Sequence, residues 1–381
     1  MIPLLRTRLD RYALPLVLSG AAAAAIYNWR LWERDKAFLA RKGGAEPLLP
    51  LESWPERSMV SVLVAAWNER EHIERHIESF LALRYPHKEL VLCAGGEDGT
   101  LALASRYAGP QVKVFEQKPG EGKQKALARC FAETRGEIIF LTDADCQLGD
   151  NAFERILWAI IGEREQVATG SSEPYVEQMS ELFAFTQAAC QVYSTMHSPR
   201  YAPGILGRNC AVERELLEGT AALDEPAPTG TDYVLAKVLD ASGALIRQVP
   251  ESLMPTDYPG TAREYLRQQR RWLRNVVLHG YRFGAHEEMR ASLRTSLLGL
   301  AMLFLPLLGF VLSPWLFLIW LLLSAQALFS RLRYLSFGSK IFDRPLLVAD
   351  VVWQVPLLFL DFLAWTGPLA DYVRQREKWD W

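Results

Sequence analysis

The chain has 381 residues, of which 50% are hydrophobic, 23% charged and 11% aromatic, and its formal net charge is −2. This composition excludes disordered, collagen-like and low-complexity chains, and the balanced charge gives no reason to expect a nucleic-acid partner. The five cysteines form no CxxC pair. Their spacing argues against a structural zinc site or a disulfide framework and favours a reducing compartment.

The first apolar segment, residues 12–29, has no charged residue and reaches the lower limit of a membrane span. Asn28, Trp29 and Arg30 stand where a signal peptide would have a small-residue cleavage site. A basic and aromatic flank is typical of a retained anchor at the headgroup level. Residues 1–57 are therefore predicted to be a membrane anchor and linker, with a buried or interfacial helix as the alternative.

Residues 58–280 are predicted to form an α/β domain. Apolar, β-branched runs followed by polar turns predict strands at residues 59–67, 88–95, 111–117 and 137–145, with helical spacing between them. Asn68 is predicted to cap the first helix, and Gly136 to stop the helix after residue 120. Strands that alternate with helices form a mostly parallel sheet.

Polar side chains follow three of these predicted strands. They are Asn68 with Glu69, Asp98, and Asp143 with Asp145. Because ligands of parallel sheets bind beyond the carboxyl ends of the strands, we expect these side chains to share one crevice.

Asp143 and Asp145 bear the clearest chemical signal. If they continue the strand, its alternation places both carboxylates on one side. Two hard oxygen donors beside a nucleotide pocket suit Mg²⁺ or Mn²⁺ that bridges phosphates. The alternative is a turn rich in Asp that precedes the next helix.

A second group lies in a helical pattern at residues 262–277. Gln268, Arg271 and Trp272 are spaced i, i+3 and i+4, so they share one helix face. A guanidinium, an amide and an indole on one face can hold a diphosphate and present a flat apolar wall. The alternative is a basic interfacial helix that precedes membrane spans.

The C-terminal part, residues 281–381, is predicted to hold an interfacial helix and transmembrane helices. Residues 295–330 have no charged side chain, and this stretch is long enough for two short spans with a turn at Ser313-Pro314. One long tilted span is the weaker alternative. Residues 345–370 are interrupted only by Asp350 and Asp361, which we expect to face protein, water or headgroups. This last stretch is interpreted as a re-entrant segment or as a sign that the preceding hairpin is miscounted.

The order of these motifs resembles the family 2 glycosyltransferases over residues 58–280. The segments that match are AAWNE, EDGT, GEGKQKALARC, LTDAD, GRNCAVERELL, GTDYVLAKVL and QQRRW. The resemblance implies a GT-A, Rossmann-like fold with a mostly parallel sheet. It also implies that Asp232 is the catalytic base, assisted by Arg271, and that Asp145 holds Mn²⁺ or Mg²⁺. It assigns donor binding to these residues: Ala66, Asn68, Glu69, Asp98, Lys123, Asp143, His197, Gln268, Arg271 and Trp272.

Two of these assignments have their own qualifications. The acidic residue that usually precedes the base is Thr231 in this chain. His197 lies in a segment similar to one in ceramide glucosyltransferases, but an ordinary loop histidine is the favoured interpretation of this residue.

The resemblance implies inverting transfer of a sugar from a UDP-sugar donor to an acceptor hydroxyl. One N-terminal span and a few C-terminal spans look most like ceramide glucosyltransferases and bacterial glycolipid synthases. A membrane lipid is therefore the expected acceptor, with the catalytic domain facing the cytoplasm and no obligate protein partner. The alternatives are a polysaccharide synthase of the cellulose or hyaluronan type and a non-catalytic subunit that binds sugar nucleotides. The sequence names neither the sugar nor the individual acceptor.

Overall fold

The structure is a computed structural model that describes residues 2–41, 48–55 and 58–375, except for the side chains of residues 2–13, 41 and 368–375. Its packing divides the chain into two compact units: a central unit, Ala45–Tyr258, and a terminal unit formed by Met1–Gly44 and Pro259–Trp381. The predicted domain boundaries at residues 57 and 280 stay a prediction. Residues 259–280 pack with the terminal helices.

The elements are numbered in chain order. The strands are β1 (Val60–Trp67), β2 (Lys88–Gly95), β3 (Val112–Glu116), β4 (Ile138–Leu141), β5 (Val167–Pro174), β6 (Cys210–Glu213) and β7 (Ile246–Thr256). The helices are α1 (Ile2–Arg41), α2 (Arg70–Ala82), α3 (Thr100–Ala104), α4 (Gly122–Ala132), α5 (Asp150–Ile161), α6 (Leu182–Met196), α7 (Arg214–Thr220), α8 (Thr231–Ala241), α9 (Ala262–Arg282), α10 (His286–Val311), α11 (Pro314–Ile341), α12 (Val348–Val352) and α13 (Gln354–Gln375). Short 3₁₀ turns cover Leu51–Ser53, Ser105–Tyr107 and Val176–Gln178.

The central unit contains one seven-stranded sheet in the order β3-β2-β1-β4-β6-β5-β7. Strands β1 to β4 pair in parallel, as do β5 and β7, whereas β6 runs antiparallel to β4 and β5. The predicted α/β fold with a mostly parallel sheet is therefore confirmed.

Both faces of the sheet are covered by helices. One hydrophobic cluster joins β1 to α2 and α5 through residues such as Val62, Ile77 and Phe153. The other joins the opposite face to α4 and α8 through residues such as Leu127 and Leu235. Burial on both faces is typical of parallel strands. Because both faces are buried, the polar side chains lie at the carboxyl ends of β1, β2 and β4 and in the loops that follow them.

Two local predictions about α2 and β4 are wrong. The residue at the N-cap of α2 is Glu69, whereas Asn68 has a left-handed backbone with φ 57° and its Oδ1 accepts a 2.8 Å hydrogen bond from the backbone N–H of Glu97. Strand β4 ends at Leu141, so residues 143–145 lie in a loop and strand alternation does not position them. For Asn68, this hydrogen bond to the loop after β2 replaces the predicted cap.

The prediction for Gly136 is also wrong. Helix α4 ends at Ala132 with Glu133 as its C-cap. Gly136 is instead a close-approach position, because a Cβ there would lie 2.5 Å from the backbone N of Ser61.

In the terminal unit, α10 and α11 are the two helices among the described residues that are long and apolar enough to cross a membrane. The helical structure is interrupted between them at Leu312 and Ser313, which confirms the predicted turn. The predicted anchor, residues 12–29, lies inside α1, which does not meet the same test of length and hydropathy. Its anchoring role stays a prediction.

The acidic residues of the last apolar stretch face protein, as expected. Asp350 accepts hydrogen bonds of 2.6 and 3.1 Å from the Arg344 guanidinium. Asp361 is paired with Arg331 and accepts a 2.6 Å hydrogen bond from the Tyr265 hydroxyl. Both carboxylates are buried, and a buried carboxylate needs such partners to remain charged.

Candidate functional site

The candidate site lies beyond the carboxyl ends of β1, β2 and β4 in the central unit. Glu69 follows β1, Asp98 follows β2, and Asp143 and Asp145 follow β4. Burial, together with repulsion from Asp145, Asp143, Asp257 and Asp98, raises the pKa of Glu69 to about 8. Charged groups shift one another's pKa values in this way only when they lie close together. The strand ends therefore meet as the sequence predicted.

The loops after β1 and β2 are bonded to each other. The Asp98 carboxylate accepts a 2.9 Å hydrogen bond from the backbone N–H of Arg70 and a 2.6 Å hydrogen bond from the Thr100 hydroxyl. Burial opposes ionisation of Asp98, but these hydrogen bonds outweigh it and lower its pKa. Gly96 has φ 108°, and a Cβ there would contact Asn68 Oδ1. A glycine is thus required for the turn that brings the two loops together.

Ala66 is fully buried in β1 and packs in the hydrophobic core. The structure therefore does not place its side chain on the surface of the site.

Lys123, in the first turn of α4, forms an ion pair with Asp143. Burial acts to lower the pKa of Lys123, but the carboxylates of Asp143, Asp232 and Asp145 outweigh this effect and raise it. One ammonium group thus interacts with two carboxylates of the loop after β4 and with the carboxylate in the first turn of α8. The structure brings together Lys123, Asp143, Asp145 and Asp232, whereas the roles predicted for them in donor binding, metal binding and proton transfer stay predictions.

The loop that contains Asp145 is held through its backbone. The Asp145 carbonyl accepts a 2.6 Å hydrogen bond from the Tyr175 hydroxyl and a 3.1 Å hydrogen bond from the backbone N–H of Asp257. One residue on, the Cys146 carbonyl lies 2.7 Å from Nδ1 of His76. A carbonyl can only accept, so Nδ1 of His76 bears the proton.

The electrostatic state of this loop follows from its burial. His76 is fully buried, and burial lowers its pKa to about 4, so its ring is neutral at pH 7. Burial and Asp143 raise the pKa of Asp145, while Arg208 and Lys123 oppose the rise. Among the described residues, no group of three or more His, Cys, Asp or Glu side chains is arranged to hold a metal ion.

Asp232 lies in the first turn of α8. Its Oδ1 accepts a 2.9 Å hydrogen bond from the backbone N–H of Tyr233. The chain approaches it closely at Gly207, where an added Cβ would lie 2.8 Å from the Asp232 Cβ. Thr231, which replaces the usual acidic residue, is buried at the start of the helix.

Three site residues were missed by the sequence analysis: Tyr175, Arg208 and Asp257. Burial acts to lower the pKa of Arg208, but the negative charges of Asp145 and Asp143 outweigh this effect and raise the pKa. The Arg208 guanidinium therefore belongs to the same cluster. Arg208 lies in the GRNC motif, which was recognised without a role for its arginine. Tyr175 and Asp257 directly follow β5 and β7. The strand-end rule would have found both, had those two strands been predicted.

The remaining predicted residues lie at the end of α6 and on α9. His197 is the C-cap of α6, where its ring stacks on Tyr193 with centroids 4.2 Å apart and its Nδ1 lies 2.8 Å from the Tyr193 carbonyl oxygen. Gln268, Arg271 and Trp272 lie on α9 in the terminal unit. The predicted helix is confirmed, while the donor-binding roles of these four residues stay predictions.

Sequence comparisons identify relatives of the chain. A family profile described as Glycosyl transferase family 2 matches residues 61–200, and one described as Glycosyl transferase family group 2 matches residues 138–330, half of the chain. A hyaluronan synthase of Streptococcus pyogenes is 24% identical over 284 residues, which are 68% of this chain and 66% of the synthase. A probable glycosyltransferase of Bacillus subtilis is 25% identical over 238 residues, 58% of this chain and 56% of that protein. The chain thus spans just under two thirds of the length of the hyaluronan synthase.

A solved structure is similar over nearly the whole chain. It is a mannosyltransferase from Pyrobaculum calidifontis in complex with GDP-Man and Mn²⁺, with a TM-score of 0.51 and 19% identity over 98% of this chain and 99% of that chain. The likeness confirms the predicted GT-A fold class.

Proposed function

We propose that this chain, which belongs to the family 2 glycosyltransferases, transfers one sugar from a UDP-sugar to a hydroxyl group of a membrane lipid. The observation that supports the transfer most is the position of Lys123 among Asp143, Asp145 and Asp232. This arrangement unites a cation for the diphosphate, a ligand for a metal ion and a base for the acceptor.

The loops after β1 and β2 would bind the nucleoside. Asp98 is kept ionised by its hydrogen bonds, so it can accept a hydrogen bond from the N–H of a uracil ring. Asn68 and Glu69, in the loop after β1, and the backbone of Ala66 would contact the nucleoside from the other of the two loops. Asp143 would contact the ribose or a water molecule in the second coordination sphere of the metal ion. His197, Gln268 and Trp272 complete the proposed donor contacts.

One of these carboxylates, Asp145, could hold a divalent cation together with ligands from the donor. Glu69, Asp143, Asp145 and Asp257 repel one another, and Asp143 is already paired with Lys123. Asp145 is therefore the residue that would hold Mn²⁺ or Mg²⁺, with phosphate oxygens and water as further ligands. When bound, such an ion supplies Lewis-acid stabilisation of the diphosphate leaving group.

The chain's own residues would perform the remaining steps. Asp232 accepts the proton of the acceptor hydroxyl. The acceptor oxygen then forms its bond to the anomeric carbon as the bond from that carbon to the phosphate oxygen breaks, so the configuration inverts and UDP leaves. Lys123 and Arg271 offset the negative charge that develops on the leaving oxygen.

The lipid acceptor is supported by the packing of the terminal unit. Helix α9, which bears Gln268, Arg271 and Trp272, packs against α10 and α13. Helices α10 and α11 expose many apolar side chains, including Phe304, Phe310 and Phe317, as lipid-facing helices do. A lipid hydroxyl is the acceptor that such a surface would offer. The proposed orientation has the central unit in the cytoplasm, where its cysteines remain reduced.

A polysaccharide synthase is the second candidate, supported by the similarity to hyaluronan synthase over 284 residues. The two candidates share the donor chemistry and differ in the length of the product.

Donor binding tests the shared part. Purified full-length chain is titrated with UDP, with and without Mn²⁺, and GDP serves as the control for the base. We expect UDP to bind only with the metal and Asp145→Asn to abolish this binding. Equal binding of UDP in EDTA would overturn the role of Asp145, and tighter binding of GDP than of UDP would overturn the identity of the donor.

A further inference from the structure

Helix α9 bears five arginines on one face. They occur at i, i+4, i+7, i+8 and i+11, which at 3.6 residues per turn keeps them within an arc of about 100°. Together with Leu266 they line a groove of about 480 Å³, here called the arginine groove. Its arginines are Arg263, Arg267, Arg270, Arg271 and Arg274. Gln268 and Trp272 project from a different side of the helix, so Arg271 is the member shared with the QxxRW motif.

These guanidinium groups have no anionic partner in the described part of the chain. No ion pair or hydrogen bond joins any of the five to a described carboxylate. Nε of Arg274 is buried and has no hydrogen-bond acceptor there. Arginines at i and i+4 repel each other on a helix, and a buried donor without an acceptor is costly. A bound anion would remove both penalties.

The groove lies beside the start of the uncharged stretch of α10. The Ser292 hydroxyl donates to the Leu273 carbonyl, so α9 and α10 lie side by side. A Cβ on Gly299, four residues into the uncharged stretch, would lie 2.8 Å from Trp365 Cβ of α13. Two residues further along α13, a Cβ on Gly367 would lie 2.7 Å from Cγ of Arg270. If α10 spans a membrane, the groove is therefore at the level of the lipid headgroups.

We propose that the arginine groove binds the phosphate group of a phosphorylated membrane lipid. A guanidinium group binds two phosphate oxygens at once. Five guanidinium groups in one groove offer more positive charge and more donors than a single carboxylate would use. This binding is separate from the sugar transfer proposed above, since it is measured without a donor.

The test uses the purified full-length chain in a neutral detergent. Native mass spectrometry measures the binding of short-chain phosphatidic acid and of phosphatidylcholine of the same chain length. We expect phosphatidic acid to bind at least about tenfold more tightly, and Arg263→Gln/Arg267→Gln to remove most of this difference. Neither substitution changes Gln268, Arg271 or Trp272, the residues of the QxxRW motif. Arg106→Gln/Arg135→Gln, which changes the same charge at exposed positions of the central unit, should leave the difference within about twofold.

The outcomes separate the sources of the phosphate. Equal binding of the two lipids, or an unchanged preference in Arg263→Gln/Arg267→Gln, would overturn the proposal. Displacement of phosphatidic acid by inorganic phosphate at a concentration equal to that of the lipid would assign the groove to a soluble phosphate and also overturn the proposal. If the double variant does not fold, as judged by its melting temperature, Arg267→Gln alone is measured, with an expected loss of at least about threefold.

Discussion

Gly207 and Asp232 approach each other so closely that a Cβ on Gly207 would lie 2.8 Å from the Asp232 Cβ. Real Cβ atoms do not tolerate this distance, so Gly207→Ala must displace Asp232 or the loop. We expect kcat to fall by about ten- to a hundredfold, because a misplaced catalytic group loses much of its effect. The affinity for UDP should change by less than about twofold.

Gly204→Ala is the matched control for this prediction. Gly204 lies in the same loop, and a Cβ there would meet nothing within 4 Å. Its kcat should equal that of the wild type. Equal losses in the two variants would show that the loop tolerates no substitution and that Gly207 has no special relation to Asp232.

The Tyr175 hydroxyl fixes the loop that contains Asp145 through a 2.6 Å hydrogen bond to the Asp145 carbonyl. Tyr175→Phe keeps the ring, which packs under the Arg75 guanidinium, and removes the hydroxyl that donates this bond. A hydrogen bond of this kind contributes about 1 kcal/mol. We therefore expect the affinity for UDP in Mn²⁺ to weaken by about fivefold, measured by calorimetry. Tyr281→Phe, at an exposed position, controls for loss of a hydroxyl, and an unchanged affinity in Tyr175→Phe would refute the role of this bond.

His76 should make stability depend on pH. Its folded pKa is about 4 against an ordinary value of 6.5, so below pH 6.5 the unfolded chain binds a proton that the folded chain does not. Its contribution to the free energy of unfolding is thus fully present above pH 6.5 and is lost as the pH falls toward 4. Between pH 7 and pH 5 the loss is about 2 kcal/mol.

The measurement is the melting temperature of the full-length chain in detergent at pH 7 and pH 5. His76→Gln, whose amide can still donate to the Cys146 carbonyl, should show a smaller fall between the two pH values than the wild type. Carboxylates titrate in both proteins, so only the difference between them reports on His76. Parallel falls in both proteins would mean that His76 does not contribute.

Arg271 distinguishes an active-site role from an interfacial one. A planar guanidinium that contacts phosphate is not replaced by an ammonium group, so Arg271→Lys should lower kcat/KM at least about tenfold. Arg290→Lys, which retains an exposed ion pair with Glu287 on α10, should be nearly silent. Wild-type turnover in Arg271→Lys would instead support the role of a headgroup anchor, which lysine also fills.

Regular structure was predictable from the sequence where hydrophobic pattern determines it. The bounds of β2 agree with the prediction. Four apolar residues recur at helical spacing after β1; Ile73, Ile77 and Phe80 are buried on α2, whereas Leu81 is exposed. The loops were not predictable. Asn68 resembles a helix cap, yet it adopts a left-handed backbone because its side chain is bonded to the loop after β2.

The site was predictable as a set of motifs, but its supports were not. Asp145, Lys123 and Asp232 occur in recognisable segments. His76 has no motif, since it is one buried residue of a helix and reaches the Cys146 carbonyl only in the folded chain. Tyr175 and Asp257 follow β5 and β7, which were not among the predicted strands, and Arg208 lies in a recognisable segment that gave its arginine no role.

The central claim is that the cluster of Lys123, Asp145 and Asp232 transfers one sugar to a membrane lipid. Membranes that contain the full-length chain are incubated with each of a panel of labelled UDP-sugars, and the label is followed in the lipid extract and in high-molecular-weight material. The account predicts that one UDP-sugar labels a lipid bearing a single sugar, and that Asp232→Asn lowers this rate by orders of magnitude while UDP affinity is kept. Asp240→Asn, on the exposed end of the same helix, should be silent. Label found only in a long polymer, or transfer to lipid at the wild-type rate in Asp232→Asn, would contradict the account.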